Sequence, residues 1–149
     1  MTGCAHVWIG ASPAQCEAGI TARRCRECRA WERVIVLGEI PPGSNQLHQM
    51  DRYAIASLRA RLKADATWLI RETGVDGPPI EHARITLDFR WRTGAKRDPL
   101  NYAEGCKSVL DSFIGRWIVD DDASHIEAVV RGRVGTGAAD ATIISVEAI

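Results

Sequence analysis

The sequence predicts a mixed α/β (α+β) domain: a four-stranded sheet with two main helices, preceded by a small N-terminal zinc ribbon or knuckle. Three observations carry that expectation. Ala83 to Arg92 alternates apolar and polar residues, as a strand with one buried face does. Two stretches repeat apolar residues at intervals of three and four, the period of a helix with one buried stripe. Four of the five cysteines fall within the first 28 residues. A chain of 149 residues has the length of one ordinary domain with room for a short appendage. The expected division is therefore 1–31 for a Cys/His module and 32–149 for the body.

The elements follow in order. Cys4-x-His6 and Cys25-x-x-Cys28 offer four tetrahedral N/S ligands for zinc, with Gly10, Pro13 and Gly19 as turns between them and Cys16 left spare. With no open position, such a site is structural. Glu32 to Ile40 is a short β-rich run, ended by Pro41-Pro42-Gly43-Ser44-Asn45. From Tyr53 to about Glu72 a helix is expected, with Ile55, Leu58, Leu62, Ala66 and Leu69 on its apolar stripe. After the strand Ala83 to Arg92 comes a loop, then Asp98 before Pro99, the order of an N-cap ahead of a proline at the first helical position. The second helix is expected from Pro99 to Ile114, with Tyr102, Cys106, Val109, Leu110 and Phe113 inward and Asn101, Glu104, Lys107 and Asp111 on another face. Ile126 to Val134 and Ala141 to Ala148 read as two more strands joined across Gly135-Thr136-Gly137. Trp68, Trp91 and Trp117 are expected in the core, Cys106 as inert core, and His125 as a satisfied structural histidine.

Composition excludes several classes. At 46% hydrophobic and 26% charged residues the chain is globular, not disordered. No apolar run approaches the roughly 18 residues of a membrane span, and no basic-then-apolar leader opens the sequence. A cytoplasmic protein without a membrane partner is expected, and five cysteines, an odd number, suit reduced thiols better than a disulfide framework.

Nineteen basic and nineteen acidic residues cancel, but they are unevenly placed. Arg84, Arg90, Arg92, Lys96 and Arg97 oppose only Asp88; then Asp98, Glu104, Asp111, Asp120, Asp121 and Asp122 oppose only Lys107 and Arg116. A basic strip running into an acidic cluster suits a protein that holds phosphates beside bound cations, while the plainer reading is an unevenly charged surface. Adjacent carboxylates raise one another's pKa, a cost that a divalent ion removes, and oxygen-only ligands favour Mg²⁺ or Mn²⁺. Asp98 is placed to complete such a site, and Lys107 to stabilise charge developing on a phosphate. An acidic loop without a ligand is the alternative.

These residues together resemble the RusA-type Holliday junction resolvases, many of them phage-borne. That family carries Asp-x-Asp-Asn before a helix, Lys and Asp within it, and an Asp-Asp pair about a helix later; Asp98-Pro99-Leu100-Asn101, Lys107, Asp111 and the aspartates at 120–122 are similar in order. Pro41-Pro42-Gly43-Ser44-Asn45 is similar to the family's Pro-Pro-Ser-x-Asn turn, so the likeness spans Val34 to Ile149. The resemblance implies a homodimeric, Mg²⁺-dependent endonuclease of DNA recombination and repair that resolves four-way junctions by paired nicks. It implies Asp98, Asp120 and Asp121 as catalytic metal ligands, with Asp122 a substitute, and Lys107 as the catalytic cation. Arg90, Arg92, Lys96, Arg97 and Asn101 are the expected DNA contacts.

Two departures stand out. Leu100 replaces the family's second Asp, and Glu104, one turn on, is its candidate stand-in. The spacing from Asn101 to Lys107 is also longer by about one helical turn. The Cys/His module lies outside the common family core. Leu100 motivates a rival reading, a junction-binding protein weakened or inactive in cleavage; a further rival is a zinc-finger DNA-binding regulator with an incidental acidic loop.

If Cys4, His6, Cys25 and Cys28 close a structural site, protein purified without chelator carries about one zinc per chain by elemental analysis. Chelation then loosens the first 31 residues and leaves the body folded. A metal-free preparation would remove the zinc assignment.

Overall fold

The computed structural model describes residues 8–9, 24–25, 33–75, 77–135 and 139–149. Near the N-terminus, β1 (Trp8–Ile9) pairs antiparallel with β2 (Arg24–Cys25), with Trp8 opposite Cys25. Cys4, His6 and Cys28 of the expected zinc set lie outside the described residues, and Cys25 enters only through the backbone pairing of β2.

The body is a four-stranded mixed sheet in the order β3-β6-β4-β5, with helices on one face. β3 (Arg33–Leu37) and β4 (Ala83–Trp91) both run antiparallel to β6 (Ala141–Ala148), while β4 and β5 (Ile126–Val134) run parallel. The four strands fall within the stretches the sequence marks for them. Although β5 and β6 are consecutive, they do not pair, because β4 lies between them. Side chains alternate across the sheet, so Ile35, Leu37, Ile85, Leu87, Phe89, Trp91, Ile144 and Val146 face the helices and make the core.

Two helices on the first connection bracket the sheet's β3 side. α1 (Ser44–Gln49) is an unexpected element within the stretch that follows Pro41-Pro42; Gln46 accepts the Gly43 amide through Oε1 at 3.1 Å, and Leu47 is buried. α2 (Arg52–Glu72) begins at Asp51, whose Oδ1 accepts the amides of Tyr53 and Ala54, both at 2.9 Å. Its buried residues are Leu62, Ala66, Leu69 and Ile70, so the stripe deepens toward the C-terminal half. Trp68 is 53% exposed, contrary to the expected core position. It sits one residue before Leu69 and hence about 100° round the helix from the buried stripe. Trp91 and Trp117 are buried as expected, and Phe113 stacks on Trp117 with ring centroids 5.2 Å apart.

The second expected helix is broken. The chain forms α3 (Leu100–Ala103), a 3₁₀ turn (Glu104–Cys106) and α4 (Lys107–Asp111) instead of one helix to Ile114. Gly105 explains the break. A Cβ there would lie 2.6 Å from the Pro42 carbonyl oxygen and 2.9 Å from Pro41 Cβ, so the helical segment approaches the Pro-Pro turn as closely as a bare backbone permits. Cys106 follows, fully buried, with burial pushing its thiol up to about 12, the inert core thiol expected. Beyond α4 the chain is pinned to the lead of β4: Ile80 donates its amide to the Trp117 carbonyl at 2.8 Å and accepts that of Val119 at 3.1 Å.

Because the neighbours of Gly105 are backbone and a rigid ring, Gly105→Ala should destabilise the fold by about 1–3 kcal/mol, the cost of overpacking. Urea unfolding monitored by tryptophan fluorescence measures it, and an unchanged midpoint would contradict the close approach.

Candidate active site

The polar residues singled out in the sequence leave the sheet at two ends. Parallel pairing sets Ala83 opposite Ile126 and Trp91 opposite Val134. Asp98 therefore follows the end where β4 finishes, and Asp120 to Asp122 precede the end where β5 begins. The segment from Leu100 to Asp111 runs between them and carries Lys107.

Lys107 is where the elements meet. Its Nζ lies 2.9 Å from Asp121 Oδ2 and 3.5 Å from Asp111 Oδ1. The hydrogen bond to Asp121 and the nearby Asp111 charge raise the lysine pKa, so the group stays an ammonium. Asp111 is one turn along the same helix, whereas Asp121 is 14 residues away and arrives through the Ile80–Trp117 pinning. Lys107 is itself exposed, leaving its ammonium open to solvent on the remaining side.

Each acidic residue has its own local work. Asp98 Oδ1 accepts the Leu100 amide at 3.1 Å, and Pro99 is already helical at φ −63°, so the expected capping order holds. Asp120 Oδ1 accepts the Asp121 amide at 2.8 Å. Asp122 Oδ1 accepts from the Ser124 amide, the Ser124 hydroxyl and His125 Nδ1. These donors, Ser124 first and His125 next, hold the Asp122 carboxyl down at about 2. At Asp122 hydrogen bonding thus outweighs the desolvation that would raise the carboxyl. His125 closes the turn, its ring stacked on His82 with centroids 5.9 Å apart, the structural role expected for it.

Glu104 is exposed in the 3₁₀ turn, and Leu100 is 66% exposed in the first helical turn. Asp98 and Asp121 share no partner among the described residues, and no group of three His, Cys, Asp or Glu side chains among them is arranged to hold a metal ion. The donor set is nevertheless oxygen-only, carboxylates at Asp98, Asp111, Asp120 and Asp121 that are exposed or half-buried, which is the chemistry of a hard cation.

The Pro-Pro turn adjoins this segment. Ser44 Oγ donates to the Asn101 carbonyl at 3.1 Å, and a Cβ at Gly43 would lie 3.4 Å from that same oxygen. Two stretches 57 residues apart therefore meet at Asn101.

The basic strip does not stay together. Arg84 is paired with Glu127 and Glu147. Arg90 binds Asp88 on the sheet face away from the helices. Arg97 lies over the Trp91 ring, 5.3 Å from its centroid, on the helix side. Arg92 and Lys96 are exposed beyond the end of β4. Arg131 and Arg133, which sequence reasoning misses, stand beside Asp88 and Arg90 across the β4–β5 register. The alternation Glu127, Val129, Arg131, Arg133 is a usable signal for one face; the parallel partner that gives it meaning is not written there.

No family model matches the chain, and no curated protein sequence matches it. No helix among the described residues is long and apolar enough to cross a membrane.

The turn has a definite pH dependence. The Asp122 carboxyl is lowered from 3.8, so its contribution is present above that value and is lost as pH falls through about 2. The His125 imidazole is raised from 6.5 by the Asp122 hydrogen bond, so its contribution is complete below 6.5 and is lost as pH rises through the folded value. The turn is held most firmly from about pH 4 to 6.5. NMR titration should place the His125 midpoint above the free-imidazole value, and Asp122→Asn should bring it down; an unmoved midpoint would contradict the pairing.

Proposed function

We propose that this chain is a RusA-type, divalent-metal-dependent DNA endonuclease that acts on four-way junctions as a homodimer. The observation that carries the reading is the meeting of Lys107, Asp111 and Asp121 on one side of the helical segment that Asp98 caps. Contact between Ser44 of the Pro-Pro turn and Asn101 supports it independently, since the two motifs on which the resemblance rests are neighbours in space.

Asp98, Asp120 and Asp121 are the carboxylates that would hold Mg²⁺ or Mn²⁺, with Glu104 and Asp122 beside them. A bound divalent ion supplies Lewis-acid polarisation of the scissile phosphate and a lowered pKa for the attacking water. The protein's own groups do the rest. Lys107 keeps its proton and offers a positive charge to the phosphate as negative charge develops there. Asp121 and Asp111 hold that ammonium in place on the helix face. Asp122 works on the turn, through Ser124 and His125, and keeps the Asp120–Asp121 backbone in position. Exposed Arg92 and Lys96 supply sequence-independent contacts to backbone phosphates.

Asp98→Asn or Asp121→Asn should lower the nicking of a labelled four-way junction in Mg²⁺ roughly 100-fold or more, because an amide is a poor ligand for a hard cation. Junction binding in a gel shift without divalent metal should persist or tighten, as repulsion of phosphate falls. Asp111→Asn should cost less. Wild-type nicking rates in both mutants would end the assignment. Leu100, an apolar residue where the family carries a carboxylate, favours the second reading of a junction binder without cleavage; wild-type protein that shifts the junction and leaves it intact would establish that outcome.

Two symmetric nicks require two sites facing the junction, which a C₂ pair of subunits provides. Sedimentation at micromolar concentration should give a dimer mass, and a monomer mass with and without junction DNA would count against resolution by this chain.

A further inference from the structure

The sheet has a second face, turned away from the helices, and its charge is sharply divided. At the end where β4 and β5 begin, Arg84 is neutralised by Glu127 and Glu147. At the end where they finish, the register sets Arg131 beside Asp88 and Arg133 beside Arg90. Two guanidinium groups, those of Arg90 and Arg131, thus engage one carboxylate, and Arg133 stands beside Arg90.

That carboxylate is unusual. The Asp88 side chain is only 3% exposed; its Oδ2 accepts from Arg90 Nη2 at 2.7 Å and Nε at 3.0 Å and lies 3.5 Å from Arg131 Nε. Its Oδ1 is buried without a hydrogen-bond partner. A buried carboxylate with half its acceptors unused is costly in a strand that otherwise asks for a small or apolar residue. What the arrangement achieves is orientation: Arg90 is held by two nitrogens, with no partner for the third among the described residues, and Arg131 leans on the same oxygen while its side chain remains 56% exposed. Arg133 is exposed, and no ion pair engages it among the described residues.

We propose that Arg90, Arg131 and Arg133 form a clamp for the phosphodiester backbone of DNA on the sheet face away from the helices, with Asp88 as the positioning residue that fixes Arg90. The occupant follows from charge and shape. Three guanidiniums against one buried carboxylate leave a net positive patch, their spacing along two neighbouring strands suits successive phosphates, and Arg presents the planar donor fork that phosphate accepts. The clamp stands at the end of β4 from which the chain runs on through exposed Arg92 and Lys96 to Asp98. This inference rests on the nucleic-acid reading above and extends it from the cutting site to a separate holding surface.

Gel shifts across a salt series, on a four-way junction and on a linear duplex, test it. Arg131→Gln/Arg133→Gln should weaken binding about tenfold at moderate salt and reduce the slope of log K against log salt by about two, one for each phosphate that the variant no longer neutralises. Arg131→Lys/Arg133→Lys should recover most of the affinity. Arg84→Gln, on the same face but already paired, should bind within about twofold of wild type. Asp88→Asn should weaken binding while the thermal transition remains cooperative, and circular dichroism identifies any variant that fails to fold. Unchanged affinity and slope in the double Gln variant would overturn the clamp, as would a wild-type chain that binds neither DNA. If wild type binds junction and duplex alike and nicks neither, yet the Gln variant still loses affinity, the clamp stands and the junction-resolving reading falls.

Discussion

The parallel pairing of β4 with β5 is the constraint on which the rest of the structure depends. Two parallel strands cannot be joined by a tight turn; the chain must leave one end of β4, cross a face of the sheet and enter β5 at the opposite end. Every residue of the candidate site lies on that return path. Asp98 is at its departure, Lys107 and Asp111 are midway, and Asp120 to Asp122 are at its arrival. Because β4 is also paired with β6, it is fixed on both edges, and its inward residues Leu87, Phe89 and Trp91 give the returning segment a surface to pack on. The crossing segment buries Cys106, Val109 and Phe113 against that surface, which leaves Lys107 and Asp111 to face outward.

Packing and charge then divide the molecule's two faces. On the helix side, close approach governs: Gly105 lies against Pro41 and Pro42, and Gly132 lies under Trp91, where a Cβ would come within 2.5 Å of Cζ3. Arg97 is drawn onto the same tryptophan by its ring face. On the other face Val34 is buried, and charge pairs stand at both ends of β4. There Asp88 holds Arg90 at one end and Arg84 bridges two glutamates at the other. Basic residues that are close in sequence are thus separated by the alternation of the strand that carries them, while Arg131 and Arg133, some 40 residues on, come beside them through register.

Local pattern made the strands legible. β5 and β6 coincide with the stretches read as strands, and β4, marked by its alternation, differs by one residue, because a strand buried on one face writes its period directly into the sequence. The cap at Asp98 was readable for the same reason, since it involves only adjacent residues. What stayed hidden was non-local. Gly105 interrupts a helical period that otherwise reads through to Ile114, and its reason is the Pro42 carbonyl 63 residues earlier. Trp68 reads as core because it accompanies an apolar stripe, yet helical geometry turns it outward by one residue's rotation. Arg131 could not be named as a second partner of Asp88, because parallel pairing is invisible to periodicity. In the acidic turn, the sequence displays three repelling charges; the three donors that converge on Asp122 emerge only with the fold.

The 3₁₀ turn Glu104–Cys106 lies between Asn101 and Lys107. Under the proposed kinship three residues are added there, and Glu104–Cys106 is a three-residue segment in a helix with 3.0 residues per turn. One such turn restores the azimuth, so Lys107 emerges on the face it would have occupied without the insertion. Its translation is not restored: three residues at about 2.0 Å each move Lys107 roughly 6 Å along the axis, away from Asp98 and toward the acidic turn. That displacement matches what the side chain does, bonding to Asp121 at 2.9 Å while Asp98 is left to its cap. At the arrival end Lys107 joins Asp111 and Asp121, and the departure end keeps Asp98 with an exposed leucine two residues on. The pairing of Lys107 thus ties the middle of the crossing segment to the start of β5, while Asp98 stays with the end of β4.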